Sequence, residues 1–524
     1  MSDPGPRTAR RRRGDPASAL APRKPPKAIA ALFGLLAAAA GIGVGELAAA
    51  LVRPAASPVI VVGNRIILLT PEWLKRFVID RVGTDDKDVL LTGIYLGSAV
   101  VAVLVGLAGL RRRAYSVAGI GLVGAVAVWC ALTTHAHQAG DVVPAVLATG
   151  AAMLAIHYLF GSLDPGSAGG LDRRRFLRAS LAAAAVALIG TPFGRYLQRA
   201  RYNATAARQA VVLPPVASPA PAASGYDLGK SKVSFQTSNS DFYRIDTALS
   251  VPQLDPDTWR LRITGMVENP LTLTYRDLLR RPQVERWITL TCVSDEVGGN
   301  LIGNARFQGV LLAELLREAG VRPQADQLLA TSSDGMKIGS PTAVVMDGRD
   351  ALLAVGMNGE PLPIEHGFPV RMVVPGLYGY VSACKWIVSL KATTFAEQAY
   401  WVQGGWAQQG PIKLASRIDT PTTNNVVTLG DTVAVAGVAW DQHVGVSKVE
   451  VQVDNGDWNE ARLAAVPSTD TWRQWVWPWT VTGTGLHTLR VRATDGAGHR
   501  QDADPADPFP SGATGYHSIT VRAR

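Results

Sequence analysis

Within Arg286-Trp287-Ile288-Thr289-Leu290-Thr291-Cys292-Val293, the residues from Ile288 to Cys292 alternate apolar and polar, which predicts a strand with Ile288, Leu290 and Cys292 sharing one face. Cys292 closes that strand, and Gly298-Gly299-Asn300 with Gly303-Asn304 predicts a loop behind it. A cysteine at this position can present its thiolate to something bound above the strand end, and a thiolate is a soft ligand suited to transition metals. Standing alone, a cysteine is more often a buried structural thiol. Cys384, and Cys130 inside an apolar run, have that ordinary reading.

Around the strand the pattern is mixed. Trp259 to Thr264 alternates as a half-buried strand, Tyr275 to Arg280 reads as a short helix, and Val310 to Ala319 reads as an amphipathic helix closed by Gly320. Strands and helices in irregular order predict an α+β domain over residues 226–410. After Arg417 short strands recur: Val426 to Leu429, Val433 to Trp440, Val446 to Val453, Trp472 to Val481, His487 to Ala493 and His517 to Arg522. Asp454-Asn455-Gly456 is a hairpin turn signal. Residues 411–524 therefore read as an all-β, immunoglobulin-like sandwich without paired cysteines. Trp475, Trp477 and Trp479 fall on one face of a strand, where core packing is the default.

The N-terminal part is of another kind. Of 524 residues, 47% are hydrophobic and 18% charged, and mean hydropathy is +0.12, which excludes a disordered chain. Three cysteines exclude a disulfide scaffold. The formal charge of +10 divides into +14 for residues 1–225 and −4 for residues 226–524, so it does not indicate nucleic acid. Ala28 to Val52, Val89 to Leu110, Ala114 to Thr134 and Val142 to Leu163 are each near the ~20 residues a membrane helix needs. A weaker fifth run is Ala179 to Phe193. Arg10 to Arg13 with Arg23, Lys24 and Lys27, then Arg111 to Arg113, then Arg173 to Arg175 with Arg178, all fall on one side if every run crosses, and the positive-inside rule makes that side cytoplasmic. The expected organisation is a basic cytoplasmic tail (1–27), about five membrane helices (28–194), and a linker (195–225) containing the Pro/Ala/Ser-rich stretch Leu213 to Ser224. The α+β domain and the sandwich then lie outside a multi-pass plasma-membrane anchor. The segment Arg53 to Asp88 is expected as a mixed-charge loop. Asp172-Arg173-Arg174-Arg175-Phe176-Leu177-Arg178 resembles an internal twin-arginine export signal, a route taken by folded proteins.

Met357-Asn358-Gly359-Glu360-Pro361-Leu362-Pro363, Glu365-His366-Gly367-Phe368-Pro369-Val370-Arg371, Val374-Pro375-Gly376-Leu377-Tyr378-Gly379 and Lys385-Trp386 closely resemble the molybdopterin-binding core of the sulfite oxidase family. Phe242-Tyr243-Arg244, the Trp259 strand and Thr289-Leu290-Thr291-Cys292 supply the earlier half of that core in order, and the sandwich resembles the family's dimerisation domain. The resemblance implies a Mo-molybdopterin cofactor with one pyranopterin and Cys292 as the thiolate ligand to molybdenum. It implies that Phe242, Tyr243 and Arg244 line the pterin and that Asp334 hydrogen-bonds it. His366, Arg371, Ala383, Cys384 and Lys385 are its further contacts, with the cationic groups at the polar and phosphate end.

The implied reaction is two-electron oxygen-atom transfer. Sulfite oxidases follow the metal cysteine with Gly-Asn and anion-collecting arginines, whereas this chain has Val293-Ser294-Asp295-Glu296, adverse to an anion. Phe307 replaces the family's Trp, and Trp406 falls where the active-site tyrosine is expected. A neutral S-oxide or N-oxide, methionine sulfoxide among them, is therefore preferred, with Asp295 as a candidate for proton transfer. Sulfite oxidation is the second reading. A non-catalytic cell-surface binding or scaffolding protein, motivated by Asp295 and Phe307, is the third. Electron exchange with a quinone or cytochrome is expected, and a homodimer is open. His135, His137 and His157 are candidate haem ligands by type, but they sit at opposite ends of their runs, so haem is not expected.

Overall fold

The computed structural model describes residues 26–71, 74, 78, 81, 86–134, 138–162, 173–201 and 203–524. The chain divides into two compact units, chiefly the residues up to Arg201 and the residues from Tyr202 to Arg524.

The first unit is helical. Five of its helices are long and apolar enough to cross a membrane: α1 (Lys27–Val52), α3 (Asp86–Ala108), α4 (Arg113–Thr133), α5 (Val142–Gly161) and α6 (Arg173–Arg201). α1 packs against α3, α5 and α6. Glycines permit this approach: a Cβ on Gly34 would run into the Ala102 carbonyl of α3, and one on Gly43 would meet Val186 of α6, the small-residue packing of apolar helices. Several polar side chains inside the bundle are partnered. Ser57 Oγ donates to Glu46 Oε1 (2.8 Å) and Gln198 Nε2 donates to Glu46 Oε2 (2.9 Å), while Arg53 pairs with Asp141. The expected loop over Arg53 to Asp88 is corrected in part, because Pro58–Leu69 forms α2. Twelve residues of α-helix rise about 18 Å, too short to span. Arg10 to Arg13, Arg23, Lys24, His135, His137 and Asp172 lie outside the described residues.

The second unit holds four sheets. β1 (Val216–Ser218), β4 (Gln283–Thr291), β5 (Ile302–Leu311), β8 (Leu352–Met357) and β10 (Arg371–Val373) run side by side, with β9 (Glu360–Pro361) beside β8. The second sheet has the order β3 (Leu271–Thr274), β2 (Arg260–Gly265), β11 (Ile387–Thr393), β6 (Gln327–Ser332), β7 (Lys337–Pro341). The alternation at Trp259 is realised: Leu261 and Ile263 are buried while Arg260 and Arg262 face solvent. Helix Tyr275–Arg280 begins on a reciprocal cap between Thr274 and Asp277, and helix Leu312–Ala319 ends at Gly320 with φ +65°, the left-handed stop glycine favours. Two boundaries differ from expectation. Gly303 and Asn304 lie inside β5 rather than in a loop, and Val310 and Leu311 are still strand, because pairing of β5 with β4 and β8 overrides local preference.

The sandwich consists of β12 (Ala415–Thr420), β14 (Thr432–Trp440), β18 (Arg473–Thr480) and β17 (Arg462–Leu463) facing β13 (Val426–Val427), β20 (Ser518–Ala523), β19 (Gly485–Asp495), β15 (Val446–Val453) and β16 (Trp458–Glu460). Trp475 and Trp479 are buried in its core with Trp477 packed against it, so the tryptophan face is core.

Candidate active site

The site starts where β4 stops. Pairing with β5 runs from Val284↔Gly309 to Thr291↔Ile302, and Cys292 N–H extends it by donating to Leu301 O (2.9 Å). The chain then turns: Asp295 N–H donates to Cys292 O (3.1 Å), and Asp295 Oδ1 accepts from Leu301 N (2.7 Å). Asp295 thus staples the loop that fixes Cys292. Its Oδ2 is buried and without a partner, and burial lifts its carboxyl to about 6.

Cys292 is buried, and that burial pushes its thiol up to about 11, against hydrogen bonding from Ser294. A group so placed stays a neutral thiol until a cation compensates the thiolate. Cys292 acts electrostatically on two phenols, Tyr243 and Tyr378, both held well above their ordinary range by burial, Tyr378 at about 12. Asp295 acts on both as well. Tyr243 is stacked on Phe242 with centroids 5.3 Å apart, and Phe242 meets the edges of Phe307 (6.4 Å) and His366 (5.6 Å). Gly379 lies against the Tyr243 hydroxyl: a Cβ built on it would stand 3.6 Å from that oxygen, at ordinary contact distance.

Arg371 reaches the same phenol from β10. Its guanidinium is 5% exposed, lies 5.7 Å from the Phe307 ring centre, and donates from Nη1 to His366 O (3.2 Å). Nε has no partner, and among the described residues no carboxylate pairs with this cation; Glu365 is exposed. Burial lowers it to about 10. A buried unpaired cation is expensive unless an anion joins it. His366 Nε2 bonds Asn239 O (3.0 Å), and burial with Arg371 nearby depresses it to about 4, so the ring is neutral. Lys385 Nζ pairs with Asp246 (2.8 Å) and donates to Glu365 O (3.1 Å), while burial lowers it to about 8. Arg244 Nε lies 3.1 Å from the same Asp246 carboxylate, at the rim.

Asp334 Oδ1 accepts from Met336 N (3.1 Å) and its charge acts on Cys384. The Cys384 thiol itself is fully buried in the apolar core and pushed up by burial, whereas its carbonyl accepts from Met372 N (2.9 Å). Ala383 closes the Gly379–Ser382 turn, beside Gly379. The structure therefore gathers Cys292, Asp295, Tyr243, Phe242, His366, Arg371 and Lys385. Trp406 sits in an aromatic cluster with Trp401, Tyr380 and Phe509, within the buried core that also holds Val293 and Tyr378. Tyr378 lies in the Val374–Gly379 motif, where sequence alone gives it no role. Ser332 and Ser333, whose buried hydroxyls lack partners next to Asp334, carried no signal beyond the Ser-Ser-Asp-Gly turn.

Residues 248–401 match the family described as oxidoreductase molybdopterin binding domain, and residues 415–491 match bacterial Ig domain. The uncharacterized oxidoreductase YuiH of Bacillus subtilis is 31% identical over 156 residues, which cover 30% of this chain and 76% of that protein. This chain belongs to the sulfite oxidase family of molybdopterin-binding oxidoreductases. Mitochondrial sulfite oxidase of Rattus norvegicus is 30% identical over 272 residues, 44% of this chain and 49% of that one. The chain thus spans about half the length of the curated sulfite oxidases it matches. The sulfane dehydrogenase SoxCD of Paracoccus pantotrophus aligns in structure over 55% of this chain and 81% of its own, at 24% identity and a TM-score of 0.47.

The residues present fit the family's cofactor on their own chemistry. A buried thiol stands at a strand end, a buried guanidinium has no anion, and polar hydroxyls lack partners on the side of Asp334.

Proposed function

We propose that this protein is a membrane-anchored molybdenum oxidoreductase that reduces a small neutral S-oxide or N-oxide on the outer side of the membrane. Cys292 would hold the metal, with Arg371 facing the anionic part of the cofactor and Phe242, Tyr243, Arg244, Asp334, His366 and Lys385 around the pterin. Bound molybdenum supplies the two-electron transfer of an oxygen atom; for a sulfoxide, R₂SO + 2e⁻ + 2H⁺ → R₂S + H₂O. Tyr243 and Tyr378, neutral at physiological pH, offer O–H donors to a substrate oxygen.

The observation that carries the substrate class is electrostatic. The charged group acting on the Cys292 thiol is the Asp295 carboxylate, and Glu296 is exposed beside it. An incoming anion meets like charge there. The anchor rests on the five long apolar helices and on basic clusters that fall on one side. Electrons for this reaction would come from a quinone or cytochrome.

The test is a two-way assay on purified full-length protein with molybdenum measured per chain. Oxidation of a reduced viologen dye by sulfoxides or N-oxides, absent in Cys292→Ser, is expected. Sulfite oxidation is the second reading, favoured by the 30% identity to sulfite oxidases. Sulfite-dependent reduction of an artificial acceptor without sulfoxide turnover would overturn the charge argument, and a chain free of molybdenum from a cofactor-competent host would overturn the enzyme.

A further inference from the structure

We infer that the immunoglobulin-like domain holds the strand bearing the molybdenum thiolate, and that Gln442 is a positioning residue for Cys292. The part concerning molybdenum rests on the proposed function.

β4 has an edge that strand pairing covers only in part. β4 is covered on one side by β5 along its whole length, but on the other side β1 pairs only with Gln283 and Val284. The half of β4 that leads into Cys292 has no neighbouring strand on that side. Backbone groups along such an edge must find partners or remain open to wrong pairing.

Two loops of the sandwich supply them. Thr289 N–H donates to Asp470 O (2.9 Å), and Thr289 O accepts from Gln442 Nε2 (3.2 Å). Both edge groups of Thr289 are thereby taken. Gln442 Nε2 also donates to Thr291 Oγ1 (2.9 Å), one residue before the thiolate, and Trp472 N–H donates to Thr289 Oγ1 (2.7 Å). A carbonyl only accepts, so the amide orientation of Gln442 is dictated by Thr289 O. Gln442 is 2% exposed and its Oε1 has no partner, so its amide nitrogen is committed to β4.

The two loops are also tied to each other. His443 N–H donates to Thr469 O (3.0 Å), and His443 Nδ1 lies 3.1 Å from Asp470 Oδ1. Trp472 Nε1 and Asn304 Nδ2 both donate to Phe235 O at 2.9 Å, and Asn304 Oδ1 accepts from Thr289 Oγ1 (3.0 Å). The strand end is therefore held from β5 on one side and from the sandwich on the other. Cys292 inherits that fixation through its own bond to Leu301 O.

The test compares Gln442→Met with Gln474→Met in the full-length protein. Gln474 is a second buried glutamine of the sandwich, but it bonds Leu228 N and Val233 O rather than β4. Hydrogen exchange should rise in Gln442→Met about thirtyfold at Thr289 to Cys292, the factor expected from losing two ordinary hydrogen bonds, and not in Gln474→Met. With molybdenum per chain at the wild-type ratio, the Mo(V) electron paramagnetic resonance g-values should shift in Gln442→Met alone. If Gln442→Met does not fold, Gln442→Asn is read in the same way. Exchange at Thr289 to Cys292 that is unchanged, or that rises equally in both variants, overturns the inference; so does a Mo(V) spectrum superimposable on wild type. Wild-type protein lacking molybdenum would sink the cofactor reading instead, and the exchange measurement alone would then decide whether the sandwich holds β4.

Discussion

Replacing Arg371 by methionine should have opposite effects in the empty and the loaded protein. Burial moves the guanidinium well below its ordinary value, to about 10, and at about 1.4 kcal/mol per pKa unit this is a cost of about 3 kcal/mol to the charged form. The sign is simple: the charged form is penalised at every pH below about 10, which includes all working conditions. The substitution also removes the bond to His366 O and the contact with Phe307, each about 1 kcal/mol. In cofactor-free protein the variant should therefore be as stable as wild type or about 1 kcal/mol more stable. In a cofactor-competent host the same variant should lose the anion partner of its site and retain less than about a tenth of the molybdenum, because a charge-assisted pair of about 1.5–3 kcal/mol is missing. Urea unfolding of the empty full-length chain and metal analysis of the loaded one measure the two arms. Destabilisation of the empty chain by more than about 2 kcal/mol, or full molybdenum retention, would refute the picture of a cation waiting for an anion.

Other outcomes follow from the same geometry. Cys292→Ser should abolish molybdenum binding while leaving unfolding of the empty chain within about 1 kcal/mol of wild type, since the change is nearly isosteric. Trp475→Ala should cost the sandwich about 3–5 kcal/mol by opening a large core cavity, read by thermal unfolding. His517 is depressed to about 4 by burial while its Nδ1 accepts from Ile418 N (3.0 Å). The unfolded chain then binds a proton near pH 6.5 that the folded chain refuses until about 4, so lowering pH through that window costs stability. His517→Gln should flatten the wild-type slope between pH 6.5 and 4, and an identical slope would contradict this assignment.

Legibility differed by element, for physical reasons. The Cys292 strand could be read because period-2 alternation is a local signal; it was misplaced by only a few residues at its start. Gly303 and Asn304 look like loop residues, and only pairing with β4 makes them strand. α2 was missed because it is too short for a span and sits in a mixed-charge segment. Arg371, His366 and Lys385 were legible through a resemblance, while their states were not: Lys385 is neutralised by Asp246, and Arg371 lacks any such partner. The contacts of Gln442 and Asp470 with Thr289 had no local trace, since nothing in a glutamine marks a carbonyl 153 residues away.

That separation sets a clock. At about 5–20 residues per second, the 153 residues between Thr289 and Gln442 take roughly 8–30 s to synthesise. Throughout that interval one side of β4 is bare backbone, and a chain ending before Gln442 never covers it. The edge of β4 is thus completed only once the sandwich loops exist, and a chain truncated before them leaves that edge open.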